Sequence, residues 1–241
     1  MLVSTNKNEN VWALDTNGRP HVLVNGDWRL LSPQILTSLA TGASGVWGVA
    51  DNGQVLYRQG VTKQIPQGLS WANVDGSDIV KISIGPNDEI LGIKRDGTLV
   101  WRSGITPKYP TGASWVDLGK RVMDASLGNY GMWIIDKSGN LQFGSGGFDA
   151  RSNSFNFVWS PVSGKLKKVI AGHGGSLWGV LVDGTLVKRR DVTSLQPTGT
   201  RWNVVDNFAV NDVSPGVLYV YRILSDGTLL KQSGEIRSSH F

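Results

Sequence analysis

The sequence predicts an all-β fold: a six-bladed β-propeller of four-stranded antiparallel blades, its ring closed by pairing of the N- and C-terminal strands. Three observations carry that prediction. An aromatic or apolar residue is followed six positions later by a turn glycine six times, as Trp12/Gly18, Trp47/Gly53, Leu91/Gly97, Trp133/Gly139, Trp178/Gly184 and Tyr221/Gly227, with glycine intervals of 35, 44, 42, 45 and 43 residues. A second series, Trp28, Trp71, Trp115, Trp159 and Trp202, keeps spacings of 43, 44, 44 and 43. No window sustains an apolar period of 3.6 residues with helix caps, so helix is disfavoured. A unit of about 43 residues has the size of one propeller blade.

The elements of the repeat follow in order. The residue before each turn glycine is Asn, Asn, Asp, Ser, Asp and Asp, which reads as a two-residue hairpin turn. Flanking runs such as Val46-Trp47-Gly48-Val49 and Thr98-Leu99-Val100-Trp101 are short and β-prone. Three members of the second Trp series close the phrase Pro-x-Gly-x-x-Trp, at residues 66–71, 110–115 and 197–202. After each of these Trp residues comes a short strand and turn, then a further strand such as Lys81-Ile-Ser-Ile-Gly85. Six repeats result, at approximately 1–33, 34–76, 77–119, 120–163, 164–206 and 207–241, all within one domain. The longest connections, residues 60–70 and 104–114, precede the second-series Trp. Long connections suit a crossing between blades better than a link between antiparallel neighbours, so the Trp strand is expected to open each blade. A terminal strand at 236–241 is expected beside 1–5, which leaves the ring without an exposed edge. Two irregularities stand out: a short loop at 19–27 in the first repeat, and a Gly/Ser/Asn-rich insertion at 144–156 in the fourth, expected to be a mobile surface loop.

Composition bounds the function. The chain has 241 residues, 40% hydrophobic and 18% charged, with 31 Gly and 10 Trp; this is a globular balance. It contains no Cys, so no disulfide or thiolate chemistry exists. The first ten residues lack the apolar run of a secretory signal, no stretch has the length of a membrane span, and cytoplasmic residence, with leaderless export as the other route, is the expectation. The net charge of +5 comes from scattered residues whose densest clusters are Lys165, Lys167, Lys168 and Lys188, Arg189, Arg190. Such clusters read either as solvated faces or as contacts with an acidic glycan or nucleic acid. A nucleic-acid binder would show steep salt dependence, and the scatter argues against one.

The phrases themselves resemble a known repeat. Val46-Trp47-Gly48-Val49, Asn52-Gly53, Leu56-Tyr57-Arg58 and the later Trp71-x-x-Val74 are similar to the tectonin repeat, shared by tectonins and by tachylectin-like, lipopolysaccharide-agglutinating lectins. The resemblance covers essentially the whole chain; Leu91 replaces Trp in repeat three, and Tyr221-Arg222 replaces Trp-Gly in repeat six. It implies a six-bladed propeller that binds glycans. The absence of Cys and of a signal sequence points to the fungal-type branch, whose members are known for recognising O-methylated sugars on bacterial and nematode surfaces. A defensive role, agglutination, and lipopolysaccharide or glycolipid partners follow as implications, and a homo-oligomer fits them. The alternative is an intracellular protein-interaction propeller that binds no sugar.

A sugar site needs an aromatic platform for the C–H face and a few fixed polar groups. The carbohydrate-binding candidates are Trp28, Trp71, Trp115, Trp159 and Trp202, each next to a proposed blade boundary, with Arg58, Arg102 and Arg189 near the strand ends before the long loops. Each of these Trp residues reads as inter-blade packing, as ligand contact, or as both. The Arg residues read as solvated or as hydrogen-bonding partners of the ligand. For Trp12, Trp47, Trp133 and Trp178, embedded in apolar strands, packing between blades is the reading. No catalytic centre, metal site or cofactor is predicted. His21, His173 and His240 share no spacing with a second ligand, His173-Gly174-Gly175 reads as a turn, and the acids Asp96, Asp183 and Asp226 recur because turns favour Asp.

Overall fold

The chain reverses at its turn glycines. In the computed structural model, which describes residues 1–6, 10–31, 33–43, 45–76, 78–149 and 154–233, the six glycines have φ between +76° and +93°. The N–H of Gly18 donates to Asp15 O at 3.0 Å, and that of Asp15 to Arg19 O at 3.1 Å. Gly53, Gly139, Gly184 and Gly227 repeat both bonds in their own hairpins. This is a three-residue loop whose last residue is left-handed, not the two-residue turn expected. The reason is that only the glycine has positive φ; Asn or Asp before it stays right-handed and caps the N–H two residues on, as Asp96 does for Thr98 (2.9 Å), Asp183 for Thr185 (2.9 Å) and Asp226 for Thr228 (2.8 Å).

Each hairpin joins the middle strands of an antiparallel blade. Blade one is β1 (Leu2–Thr5), β2 (Val11–Leu14), β3 (Pro20–Val24) and β4 (Asp27–Leu30). Blade two is β5 (Leu36–Thr41), β6 (Val46–Ala50), β7 (Val55–Arg58) and β8 (Trp71–Val74). Blade three is β9 (Ile79–Ile84), β10 (Ile90–Lys94), β11 (Thr98–Arg102) and β12 (Trp115–Arg121). Blade four is β13 (Asp124–Gly128), β14 (Gly131–Ile135), β15 (Asn140–Asp149) and β16 (Ser154–Lys165). Blade five begins β17 (Lys168–Ala171), β18 (Leu177–Val180), β19 (Thr185–Arg189) and ends on β20 (Trp202–Pro215). The first half of β20 pairs with β19 (Arg189 opposite Trp202), and its second half opens blade six by pairing with β21 (Tyr219–Leu224), which β22 (Leu229–Ser233) follows.

Three expectations are corrected here. The Trp strand closes each blade and does not open it, because the long loops connect the third strand to the fourth within one sheet, as Arg58 opposite Trp71 shows. The segment 19–27 is not a loop. It is strand β3 and a two-residue Asn25-Gly26 turn, with φ of 53° and 92°, leading directly into β4. The insertion of repeat four is largely ordered pairing: β15 and β16 run as a long hairpin from Leu141 opposite Val162 to Asp149 opposite Ser154, with residues 150–153 outside the described set. The expected terminal strand at 236–241 also lies outside the described residues.

Blades hold to their neighbours through the first Trp series. Trp12 is buried with Leu36, Leu39 and Val46 of blade two, Trp47 with Ile79 and Ile90 of blade three, Trp133 with Val169 and Leu177 of blade five, and Trp178 with Val210 and Val220 of blade six. Leu91 and Tyr221 take the same place in blades three and six, Tyr221 packing on Val3 and Val11 of blade one. A buried aromatic of this kind stabilises by about 3–5 kcal/mol against truncation to Ala. Inner strands add polar seams. Ser38, Lys81, Asp124, Lys168 and Asp212 occupy one register position on successive inner strands, with Leu2 in blade one. Lys81 pairs with Asp124 and Lys168 with Asp212. Ser38, Asp124 and Asp212 accept the N–H groups of Ile82, Val169 and Val3 in the next blade, at 3.1, 2.9 and 2.9 Å. Together these inner strands line a central cavity of about 170 Å³.

Candidate functional site

The phrase Pro-x-Gly-x-x-Trp builds the same loop in blades two, three and five. Thr62, Thr106 and Thr193 each close a turn, their hydroxyls accepting the N–H of Ile65, Tyr109 and Gln196 at 3.0, 3.1 and 3.0 Å. Gly68, Gly112 and Gly199 then turn with φ of +61°, +65° and +58°. A Cβ on them would stand 2.7, 2.4 and 2.3 Å from the carbonyl oxygens of Gln59, Ser103 and Arg190. Glycine is required there twice, by conformation and by space. The carbonyl just before it is the anchor: Gln67, Thr111 and Thr198 accept the Nε–H of Arg58, Arg102 and Arg189 at 2.9, 2.8 and 2.9 Å.

Each of these arginines sits directly opposite its Trp across the β7–β8, β11–β12 and β19–β20 ladders. Opposed residues share one face of a sheet, so the guanidinium and the ring look the same way. Their carbon-to-centroid distances are 5.4, 5.5 and 5.2 Å for Arg58/Trp71, Arg102/Trp115 and Arg189/Trp202, within cation–π range. The face they share is turned to the preceding blade. Trp71 packs on the Trp12 core of blade one and meets Trp12 edge to face, Trp115 on the Trp47 core of blade two, and Trp202 on the Trp133 core of blade four. The indole N–H of Trp115 donates to Asp75 O (2.9 Å) and that of Trp202 to Ser163 O (3.1 Å), whereas Trp71 Nε1 has no such partner among the described residues. Exposures of 7%, 3% and 6% for Arg58, Arg102 and Arg189 exclude the solvated reading. Burial lowers the pKa of all three guanidinium groups, Asp75 opposing it at Arg102. The same three loops expose Leu69, Tyr109 and Leu195 to solvent.

The other two candidates differ. Trp159 follows Phe155 and Phe157 along one face of β16; Phe155 stacks on Phe157 at 5.4 Å and meets Trp101 of blade three at 5.0 Å, and Lys120 Nζ lies 4.8 Å from the Trp159 centroid. Its opposite residue is Gly144, so this groove has no arginine. Trp28 lies opposite Leu23 and is 40% exposed. The structure therefore brings Arg and Trp candidates together in three grooves, gives Trp159 an aromatic stripe, and leaves Trp28 open.

Some charges were misjudged from sequence. Lys168 is not on a solvated face; it lies at the channel against Asp212. Burial alone would lower both channel lysines, yet the charges of Asp212 and Asp124 lift Lys168 above its ordinary value, while Lys81 remains below it. Lys165 Nζ donates to Ser138 O at 3.1 Å and Lys188 lies 4.9 Å from the Trp178 ring. His21 contacts Asp15 at 3.4 Å, His173 lies in a single 3-10 turn, and His240 is outside the described residues. Among the described residues no group of three or more His, Asp or Glu could hold a metal ion, and no helix is long and apolar enough to cross a membrane.

Comparison with known proteins accords with this geometry. The Tectonin domain family matches residues 1–221. A Drosophila melanogaster tectonin beta-propeller repeat-containing protein is 33% identical over 176 residues, covering 66% of this chain and 13% of its own. Tectonin beta-propeller repeat-containing protein 1 of Xenopus tropicalis is 39% identical over 54 residues, covering 22% of this chain and 5% of its own. This chain thus matches at most 13% of the length of these relatives. Among solved structures, human WBSCR16 superposes with a TM-score of 0.61 at 12% identity over 98% of this chain and 77% of its own. YCF48 bound to D1 peptide does so with 0.56 at 14% over 97% and 77%. At such identities the structural likeness shows the propeller fold alone, and it is the sequence match over residues 1–221 that shows kinship. The chain belongs to the tectonin family of β-propeller proteins.

Proposed function

We propose that this protein is a multivalent lectin whose inter-blade grooves bind surface glycans, O-methylated sugars of bacteria or nematodes among them, in defence. The observation that carries the reading is the threefold recurrence of one pair, a buried Arg against a half-buried Trp, on one loop frame at the blade seams. An indole offers the C–H face of a sugar a flat apolar contact, and the guanidinium supplies fixed donors. Exposed apolar residues on the same loops, Leu69, Tyr109 and Leu195, suit a methyl ether, which adds apolar area without charge. Several weak equivalent sites on one ring would gain about 10² to 10⁴ in avidity on a dense glycan surface, and lipopolysaccharide or glycolipid displays that density.

A glycan array that includes O-methylated monosaccharides tests the reading. Binding to methylated glycans, competed by the free methyl glycoside and only partly reduced by Trp115→Ala, is expected. An array without signal at high protein concentration would overturn it. A second reading, a protein-interaction propeller without sugar binding, rests on the relatives, in which a region like this one is a small part of a longer chain. A protein partner captured regardless of added sugar, together with an empty array, would select it.

A further inference from the structure

Among the described residues, cations of the channel and of blade six are held in ion pairs. Lys81, Lys168 and Arg222 meet Asp124, Asp212 and Asp206. Arg58, Arg102 and Arg189 are more deeply buried than the two lysines, at 7%, 3% and 6% exposure against 31% and 18% for the side chains of Lys81 and Lys168, yet none is in an ion pair among the described residues. A guanidinium carries five N–H donors. Among the described residues, Arg58 and Arg189 each show one hydrogen bond, from Nε to the loop carbonyl, and Arg102 adds Nη1 to Asp75 O at 3.2 Å. A largely buried charge without a counter-ion is costly, and an anion at its open donors would offset that cost. The Nε bond fixes the plane of the group, and the paired Nη edge is left over in the seam that the sheet face turns to the preceding blade. That planar fork matches two oxygens of a carboxylate or phosphate.

We propose that the grooves of Arg58 and Arg189 each accept an oxyanion carried by the glycan, so that the ligand class is an acidic sugar, bearing a carboxylate or a phosphate. The proposal rests on the lectin reading and narrows its ligand. The anion seats on the Nη edge while an apolar part of the sugar meets the indole beside it. The third groove is weaker for the same ligand, since Asp75 lies near Arg102 and its carbonyl already occupies Nη1. The Trp159 groove, with Gly144 where the arginine would stand, takes no anion through this fork. A net charge of +5 favours the approach of such ligands.

The test is calorimetric titration of the full chain with methyl glucuronide, glucose 6-phosphate and neutral methyl glucoside at low salt. The carboxylate and phosphate arms separate the two sources of oxyanion. Hydrogen bonds to a charged group are strong enough that the better acidic ligand should bind about tenfold or more tightly than the neutral one. Arg58→Gln with Arg189→Gln should abolish that preference, bringing the acidic ligands down to the affinity the same variant shows for methyl glucoside, Arg58→Lys with Arg189→Lys should retain part of it, and Arg102→Gln should change it least. The wild-type panel alone decides the matter if the Gln variants do not fold. Equal binding of acidic and neutral sugars overturns the proposal and leaves the lectin reading standing. No binding of any sugar overturns both.

Discussion

Replacing Asp212 by Ala is predicted to loosen the seam between the last and first blades. Asp212 is buried at the channel, where Oδ1 receives Lys168 Nζ and the Val213 N–H, the latter at 2.9 Å, and Oδ2 receives the Val3 N–H at 2.9 Å. Truncation leaves the Lys168 ammonium, 18% exposed, without its counter-ion and strips the blade-one strand of a hydrogen bond. Removing one partner of a buried ion pair costs about 3–5 kcal/mol. For a domain of this size each kcal/mol moves Tm by about 2–4 °C, so Tm should fall by about 6–20 °C in a calorimetric melt. The companion is Lys168→Met with Asp212→Leu, which removes both charges and keeps the volume. It should recover most of the loss, because the penalty lies in the unpaired charge rather than in the absence of a bridge. Asp124→Ala, with equivalent partners two seams earlier in the ring (Lys81 and the Val169 N–H at 2.9 Å), should resemble Asp212→Ala. An Asp212→Ala melt within 2 °C or so of wild type, or a double variant no better than the single one, would refute this account of the channel.

Three further outcomes are expected. Gly199→Ala places a Cβ 2.3 Å from the Arg190 carbonyl oxygen at φ +58°, and should lower stability by about 1–3 kcal/mol in urea melts, whereas Gly26→Ala, with nothing within 4 Å, meets only the backbone strain. Burial raises the Asp15 pKa, but hydrogen bonds from Arg19, Asn17 and His21 outweigh it and hold the carboxyl at about 2 instead of 3.8. A folded pKa below the unfolded one gives stability that is full above pH 3.8 and lost as pH falls through 2; after solvent screening this is about 1 kcal/mol, so Asp15→Ala should lower Tm at pH 7 and lower it clearly less near pH 2. Trp12→Ala, at a fully buried ring, should cost about 3–5 kcal/mol, and Trp28→Ala, 40% exposed, far less.

Much of the fold was legible because the repeat puts the same physics at the same interval. The turn glycines and both Trp series mark strands two and four of successive blades, and the first series packs between blades as its apolar surroundings suggested. What loop length misled was the blade boundary. Asn25-Gly26, a two-residue turn in the first repeat, held the correction, since it ties the Trp28 strand to the strand before it. Likewise Phe155, Phe157 and Trp159 alternate along the chain, a strand signal that the glycines around them obscured. The channel charges were not legible. Lys81, Asp124, Lys168 and Asp212 are about 43 residues apart, and only the packing of neighbouring blades brings each pair within bonding distance. For the candidate grooves, residue types could be read off the sequence, but the burial of the arginines depends on where the loop folds back.

The most direct test of the central claim, that the outer-strand indoles bind sugar, is a sugar titration followed by the indole N–H resonances of the ten tryptophans. The account predicts that the signals of Trp71, Trp115 and Trp202 shift with a common saturation behaviour while those of Trp12, Trp47, Trp133 and Trp178 stay fixed. Shifts confined to the buried inner series, or a titration that moves none of the ten, would contradict it.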